Sequence, residues 1–258
     1  YTLSLHDALP IMAHREPGAA RILTVDIETA PHTAYVWSTF KQTIAPSQII
    51  EPSRILSVAA KWSDSKRVIV LSEHTDGHDT MIQESWNLFH AADVVVTYNG
   101  IRFDILHLQR EWLQAGLGKP SPWFDVDLLA EVRRSFKFAS NRLGYVTSAL
   151  ELPSKLDTGG FDLWRRVLAG DEKAWRLFLR YNRQDVVITE QLFRLLLPWI
   201  RTPHAGQFTL NMQGCPSCGE AVSFAGTTKQ RALTYPLVVC GSCGVYAKVL
   251  RSGQTRAV

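Results

Sequence analysis

Asp26 and Glu28 stand two residues apart inside an otherwise apolar run, Ile22-Leu23-Thr24-Val25-Asp26-Ile27-Glu28-Thr29. In a β-strand, successive side chains alternate between faces, so both carboxylates share one face near the strand's end. Two carboxylates on a buried strand are costly unless a cation or hydrogen bonds compensate them. The run therefore predicts a core strand that ends at a metal site. Hard divalent cations such as Mg²⁺ take carboxylate oxygens, and two of them about 4 Å apart can clamp an in-line attack on phosphorus. Two further acids sit in short motifs of their own. They are Asp104 in Tyr98-Asn99-Gly100-Ile101-Arg102-Phe103-Asp104 and Asp185 in Tyr181-Asn182-Arg183-Gln184-Asp185. Taken singly, Asp104 reads equally well as a helix N-cap, and Asp185 as a solvent-facing helix residue.

The hydrophobic pattern predicts an α/β order. After the first strand at 21–27, β-rich runs at 55–62 and 67–71 flank the turn-like Ser63-Asp64-Ser65-Lys66, which predicts a hairpin. Asp79 is placed to cap a helix running to about residue 92. Val94-Val95-Val96-Thr97-Tyr98 has the continuous apolar character of a buried parallel strand, and a helix from 103 to 115 follows the Asn99-Gly100 turn. A short strand is expected at 123–127, then helices at about 128–138, 141–150, 160–169 and 171–197. On the last helix, Tyr181 and Asp185 are i and i+4 and so share a face. Asp125 and Asp127 read as cap or strand-end residues.

Beyond a linker at 198–206, bounded by Pro198 and Gly206, all four cysteines fall in two Cys-x-x-Cys-Gly knuckles, Cys215/Cys218 and Cys240/Cys243. Four thiolates so spaced can converge on one tetrahedral ion, with glycine allowing the tight turn after each pair. Zinc is favoured over disulfides, and iron is the minority alternative. With four protein ligands the site would be structural. Residues 204–258 also carry the whole net charge of +4: Lys229, Arg231, Lys248, Arg251 and Arg256 against Glu220. With Phe224, Tyr235 and Tyr246 nearby, that segment could bind single-stranded nucleic acid by stacking and charge. Docking a protein is the other reading. No apolar stretch reaches the ~20 residues of a membrane span. Residues 1–20 fit no structural pattern and are read as a disordered or non-native leader before and just after Met12. The domain plan is then 21–197, a linker at 198–206, a ribbon at 207–252 and a tail at 253–258.

These motifs, in this order, resemble those of the DEDD-group 3′→5′ exonucleases in their tyrosine variety, and above all the proofreading exonuclease domains of family B DNA polymerases. Asp26-x-Glu28 is similar to the first exonuclease motif, Tyr98-Asn99…Phe103-Asp104 to the second and Tyr181-x-x-x-Asp185 to the third; Leu143-Gly144-Tyr145 and Lys155-x-Asp157 extend the likeness. The resemblance implies a ribonuclease-H-like mixed sheet flanked by helices, followed by a small C-terminal zinc ribbon. It further implies two Mg²⁺ or Mn²⁺ ions held by Asp26, Glu28, Asp104 and Asp185, with Tyr181 orienting the attacking water. Asn99 and Phe103 would touch the terminal nucleotides, although core packing is the competing role for Phe103. The implied substrate is a 3′ end of single-stranded DNA, released as nucleoside 5′-monophosphates. An exoribonuclease uses the same carboxylates, and a non-catalytic nucleic-acid-binding module is the reading from a different class. The implied setting is the cytoplasm of a bacterial or phage-infected cell, with the ribbon open to a replication or repair partner.

Overall fold

A computed structural model describes residues 20–153, 159–200, 214–230, 233–249 and 255–257. The expectations for the leader, for Lys155 and Asp157 and for most of the linker lie outside the described residues. The chain divides into two compact units, one spanning Arg21–Pro203 and one holding the C-terminal strands.

The larger unit is built on a five-stranded sheet in the order β5-β4-β1-β6-β7. Its strands are β1 (Ile22–Thr29), β4 (Ile55–Trp62), β5 (Val68–Ser72), β6 (Val94–Thr97) and β7 (Phe124–Asp127); β2 (Thr33–Ala34) and β3 (Ile49–Glu51) form a separate ribbon. β1 runs antiparallel to β4 and parallel to β6, so the sheet is mixed, as the family resemblance implied. Alternation along β1 sorts its residues by face. Leu23, Val25 and Ile27 enter a core with Met81, Ile82 and Phe89 of α1 (His78–His90) and Ile105, Leu108 and Trp112 of α2 (Asp104–Gln114). Thr24, Asp26 and Glu28 are left for the opposite face.

That face is covered by α6 (Glu172–Leu196), against which α3 (Leu128–Ser135), α4 (Leu143–Ala149) and α5 (Phe161–Leu168) pack. α6 is capped by Asp171, whose carboxylate accepts the N–H groups of Lys173 and Ala174 at 2.8 and 3.1 Å. Its apolar stripe packs Ala174, Trp175 and Phe178 against Leu56 and against Leu163 and Val167 of α5. Polar links also seat it. Lys61 of β4 meets Glu190 at 2.6 Å, both nearly buried, and Ser57 of β4 donates to Asn182 at 2.9 Å.

Two local expectations are corrected, and one element was not expected. Gly77, at φ +79°, takes the cap position of α1, and Asp79 falls inside the first turn, where its charge complements the helix N-terminus. α3 stops at Ser135 because Phe136 turns extended (φ −136°, ψ 157°), short of the expected 138. The β2–β3 ribbon was not foreseen, since strands of two and three residues have no readable period.

In the smaller unit, β8 (Val222–Gln230), β9 (Leu233–Cys240), β10 (Tyr246–Val249) and β11 (Thr255–Ala257) form an antiparallel sheet in the order β11-β10-β9-β8.

Candidate active site

β1 and α6 deliver three carboxylates to one place. Oxygens of Asp26, Glu28 and Asp185 all lie within 4.8 Å of one another. Asp185 is buried, whereas Asp26 and Glu28 are half-buried. Three like charges so close repel one another unless a cation sits among them, and an all-oxygen set suits a hard divalent ion. The donor chemistry therefore fits Mg²⁺ or Mn²⁺.

Asn182 was missed by the sequence reading. Fully buried on α6, it donates from Nδ2 to the Asp26 carboxylate at 2.7 Å and to the Asp26 backbone carbonyl at 3.2 Å. Its own Oδ1 accepts the Ser57 hydroxyl. One amide thus ties β1, β4 and α6 together and fixes the rotamer of a carboxylate in the trio. A signal was present: Asn182 lies three residues before Asp185 and shares its helix face.

Asp104 stands outside the trio of converging oxygens. β1 pairs with β6 only as far as Thr24–Val96, since β6 ends at Thr97 and the chain turns through Asn99, at φ 73°. Gly100 allows that turn: a Cβ there would lie 2.6 Å from Cγ2 of Thr97 and closer still to its other side-chain atoms. Past the turn, Asp104 opens α2 and its Oδ1 accepts the N–H of Ile27 at 3.0 Å, between the two β1 acids. Burial pushes its carboxyl up to about 7, the nearby Asp127 charge adds to the rise, and the Ile27 N–H holds it back. A carboxyl raised above its ordinary ~3.9 favours the folded state fully below about pH 4 and loses that contribution as pH rises through about 7. In magnesium-free buffer the melting temperature is expected to fall between pH 5 and 7.5, and calorimetry on Asp104→Asn should show a flatter profile.

Tyr181 is half-buried, with its ring 6.5 Å from that of Trp164 in an edge-on contact. Asn99 donates its N–H to Asp127 at 2.8 Å, and Asp127 also caps α3, so its expected cap role holds. Phe103 is 38% exposed, with its ring 4.6 Å from that of His107. It is therefore open to solvent and is not a core residue.

A protein-family model described as the RNase_H superfamily matches residues 51–197. The chain belongs to the RNase_H superfamily. The matched stretch holds Asp104, Tyr181 and Asp185, whereas Asp26 and Glu28 lie ahead of it on β1. No curated protein matches in sequence. Among solved structures, the RNase_H-superfamily chain is similar to the family B DNA polymerase of the hyperthermophilic archaeon Pyrobaculum calidifontis. Identity is 20% and the TM-score 0.54, over 78% of this chain and 26% of the polymerase. The chain thus spans about a quarter of the polymerase's length, and the likeness is one of fold.

A second candidate metal centre lies in the smaller unit. The Cys215, Cys218, Cys240 and Cys243 sulfurs fall within 4.8 Å of one another, with three contacts at 3.5 Å. Disulfides need about 2.05 Å, whereas a tetrahedral ion with 2.3 Å bonds to sulfur sets sulfurs about 3.8 Å apart. The two knuckles repeat one backbone pattern. Gly219 and Gly244, at φ +78° and +72°, donate to the carbonyls of Cys215 and Cys240 at 2.9 and 3.0 Å. The four thiols could hold a metal ion, and the donor set fits zinc. Of the basic residues nearby, Lys229 is exposed, but Lys248 is buried, bonded to Gln230 and 5.2 Å from the Tyr235 ring centre. Lys248 therefore props the sheet and does not face a phosphate backbone. Arg231 and Arg251 lie outside the described residues. Among the described residues, no helix is long and apolar enough to cross a membrane.

Proposed function

We propose that the chain is a metal-dependent 3′→5′ exonuclease acting on single-stranded DNA and releasing nucleoside 5′-monophosphates. The observation that carries this reading is the convergence of Asp26, Glu28 and Asp185 within 4.8 Å on an RNase_H-superfamily sheet. Asp26, Glu28 and Asp185 would hold one Mg²⁺ or Mn²⁺, and Asp26 with Asp104 would hold a second. Such ions, when bound, polarise the phosphate and make water more acidic. Tyr181, on the same face of α6 as Asp185, orients the attacking water through its hydroxyl; a phenol, with a reference pKa near ~10, is better suited to that role than to a general base. Asn99 and Phe103 contact the terminal nucleotides. The four cysteines hold one structural zinc, which fits a reducing cytoplasm.

Labelled linear and circular single strands of equal length, as DNA and as RNA, test the reading with Mg²⁺ or Mn²⁺ present. Degradation of linear DNA alone supports it. Equal loss of the circle removes the exonuclease assignment, and preferential loss of RNA removes the DNA preference.

Asn182→Ala is expected to raise the Mn²⁺ concentration for half-maximal rate about 10- to 100-fold, with most of the rate restored at saturating Mn²⁺. It should also cost about 1–3 kcal/mol of stability, because the Ser57 hydroxyl and Asp26 lose a buried partner. A lowered rate that no Mn²⁺ concentration restores would show that Asn182 does not act by positioning Asp26.

A further inference from the structure

Past Glu28 the chain leaves the sheet as a two-stranded ribbon. Its stem continues the β1–β4 ladder: Ala30 donates to the Arg54 carbonyl at 2.8 Å, the Ser53 N–H donates to His32 Nδ1 at 3.0 Å, and β2 pairs with β3. Gln48 braces the stem. Its carbonyl accepts the Tyr35 N–H at 3.1 Å, its Nε2 donates to the Tyr35 carbonyl at 3.0 Å, and its Oε1 accepts the Ala45 N–H at 2.9 Å. Beyond that brace every residue from 35 to 47 is exposed. Tyr35 is 77%, Trp37 97% and Phe40 74% exposed.

A solvated aromatic ring forgoes about 1.5–3 kcal/mol of burial, and a cluster of them marks a contact surface. Charge narrows the occupant. The ribbon carries two charged side chains: Glu51 at its foot, whose carboxylate accepts the Thr33 hydroxyl at 3.4 Å, and Lys41 at its tip, whose ammonium lies 5.4 Å from the Phe40 ring centre. No carboxylate of the 35–47 tip opposes a phosphate backbone, and a cation beside an aromatic face suits a nucleotide. Position narrows it further, because the ribbon springs from the strand that carries Asp26 and Glu28. Trp37 is nine residues beyond Glu28 and so within about 30 Å of it. Whatever lies on the tip is within a short strand's reach of the carboxylates.

We infer that the 33–51 ribbon is a stacking platform for unpaired bases of the strand whose 3′ end lies at Asp26, Glu28 and Asp185. The inference rests on the nuclease reading. Trp37 and Phe40 hold bases upstream of the terminal nucleotide, and Lys41 meets the backbone between them. Base stacking tolerates any sequence, so the platform lengthens the grip on substrate without imposing sequence preference.

The experiment compares the wild-type protein with the double variant Trp37→Ala/Phe40→Ala. Its probes are a 12-nucleotide single strand, the same strand with abasic positions upstream of its 3′ end, and thymidine 5′-monophosphate p-nitrophenyl ester, which is too short to reach the ribbon. Binding is read by anisotropy of the labelled strands without divalent metal, turnover by product release with Mn²⁺, and oligomeric state by light scattering. The double variant should bind the intact 12-mer about tenfold or more weakly, with KM rising in parallel. Abasic positions should weaken wild-type binding similarly and weaken the double variant's little further. Turnover of the ester should be unchanged. Unaltered Kd and KM for the 12-mer, or an undiminished abasic effect in the double variant, overturns the platform while leaving the nuclease reading standing. A wild-type dimer that the substitutions split, with strand binding intact, assigns the ribbon to contact between copies and also overturns it. If the wild-type protein binds the strand through the ribbon but cleaves neither probe, the platform stands and the nuclease reading falls.

Discussion

Asp26→Ala is expected to lower hydrolysis of a 3′-ended single strand about a thousandfold or more, equivalent to about 4 kcal/mol of transition-state stabilisation. The carboxylate is one of three within 4.8 Å, it accepts the Asn182 amide, and under the two-ion reading it is shared by both cations. Its removal should nonetheless leave the fold intact. In the absence of metal, the relief of repulsion among Asp26, Glu28 and Asp185 opposes the loss of one buried hydrogen bond. The net change in stability is expected to lie within about 1 kcal/mol. Thermal melts in magnesium-free buffer and strand cleavage with Mn²⁺ together check this. A catalytically normal Asp26→Ala protein would remove the site assignment, and a variant that fails to fold would make Asp26 a structural residue. Tyr181→Phe should behave differently, slowing turnover while Mn²⁺ binding stays intact, because only a hydroxyl is lost.

The second large effect belongs to the smaller unit. Among its described residues, the buried apolar side chains are Cys215, Pro216, Val238, Cys240 and Ala247, too little to drive folding of such a segment alone. A structural zinc contributes about 10–16 kcal/mol at neutral pH in small zinc-dependent folds, so metal removal is expected to unfold β8–β11 outright. Chelation at reducing potential, or Cys240→Ser, should release one zinc per chain and abolish dispersion of the β8–β11 amide signals. The melting of the Arg21–Pro203 unit should hardly move, and a chain ending near Trp199 should stay folded and active. Retention of the β8–β11 signals after complete zinc loss, or an absence of zinc from freshly purified reduced protein, would sink this prediction.

What could be read from the sequence depended on how local the signal was. The alternation of Leu23, Val25 and Ile27 against Asp26 and Glu28 places both carboxylates without any tertiary knowledge, since a strand's period is two. The pairing of Tyr181 with Asp185 follows equally from one helical turn, and the four cysteines from their knuckle spacing. Contacts closed over long stretches of chain were out of reach. Asn182 meets Ser57 across 125 residues and Asp26 across 156; its place one turn before Asp185 marks the helix face it shares, but not the partners it finds there. Asp104 was ambiguous for another reason. Its spacing fits a carboxylate aimed at a cation and one aimed at a backbone N–H, and the early end of β6 makes the Ile27 N–H its hydrogen-bond partner. The ribbon at 33–51 went unread because its strands are too short to show a period.

Two of the buried polar links that seat α6 have a consequence for registration. Asn182 engages β1 and β4 at one point, and Glu190 engages Lys61 at another, about 12 Å further along the helix. Apolar packing alone tolerates a helix sliding along a sheet by one turn, because large side chains recur at that interval. Such a slip would displace Asp185 by about 5.4 Å, more than the 4.8 Å that spans the trio. It would also strand two buried charges and a buried amide, which apolar contacts elsewhere could not offset. The paired polar contacts thus work like two dowels in a joint: they add little to how tightly the helix is held, and they leave one position in which it can be assembled.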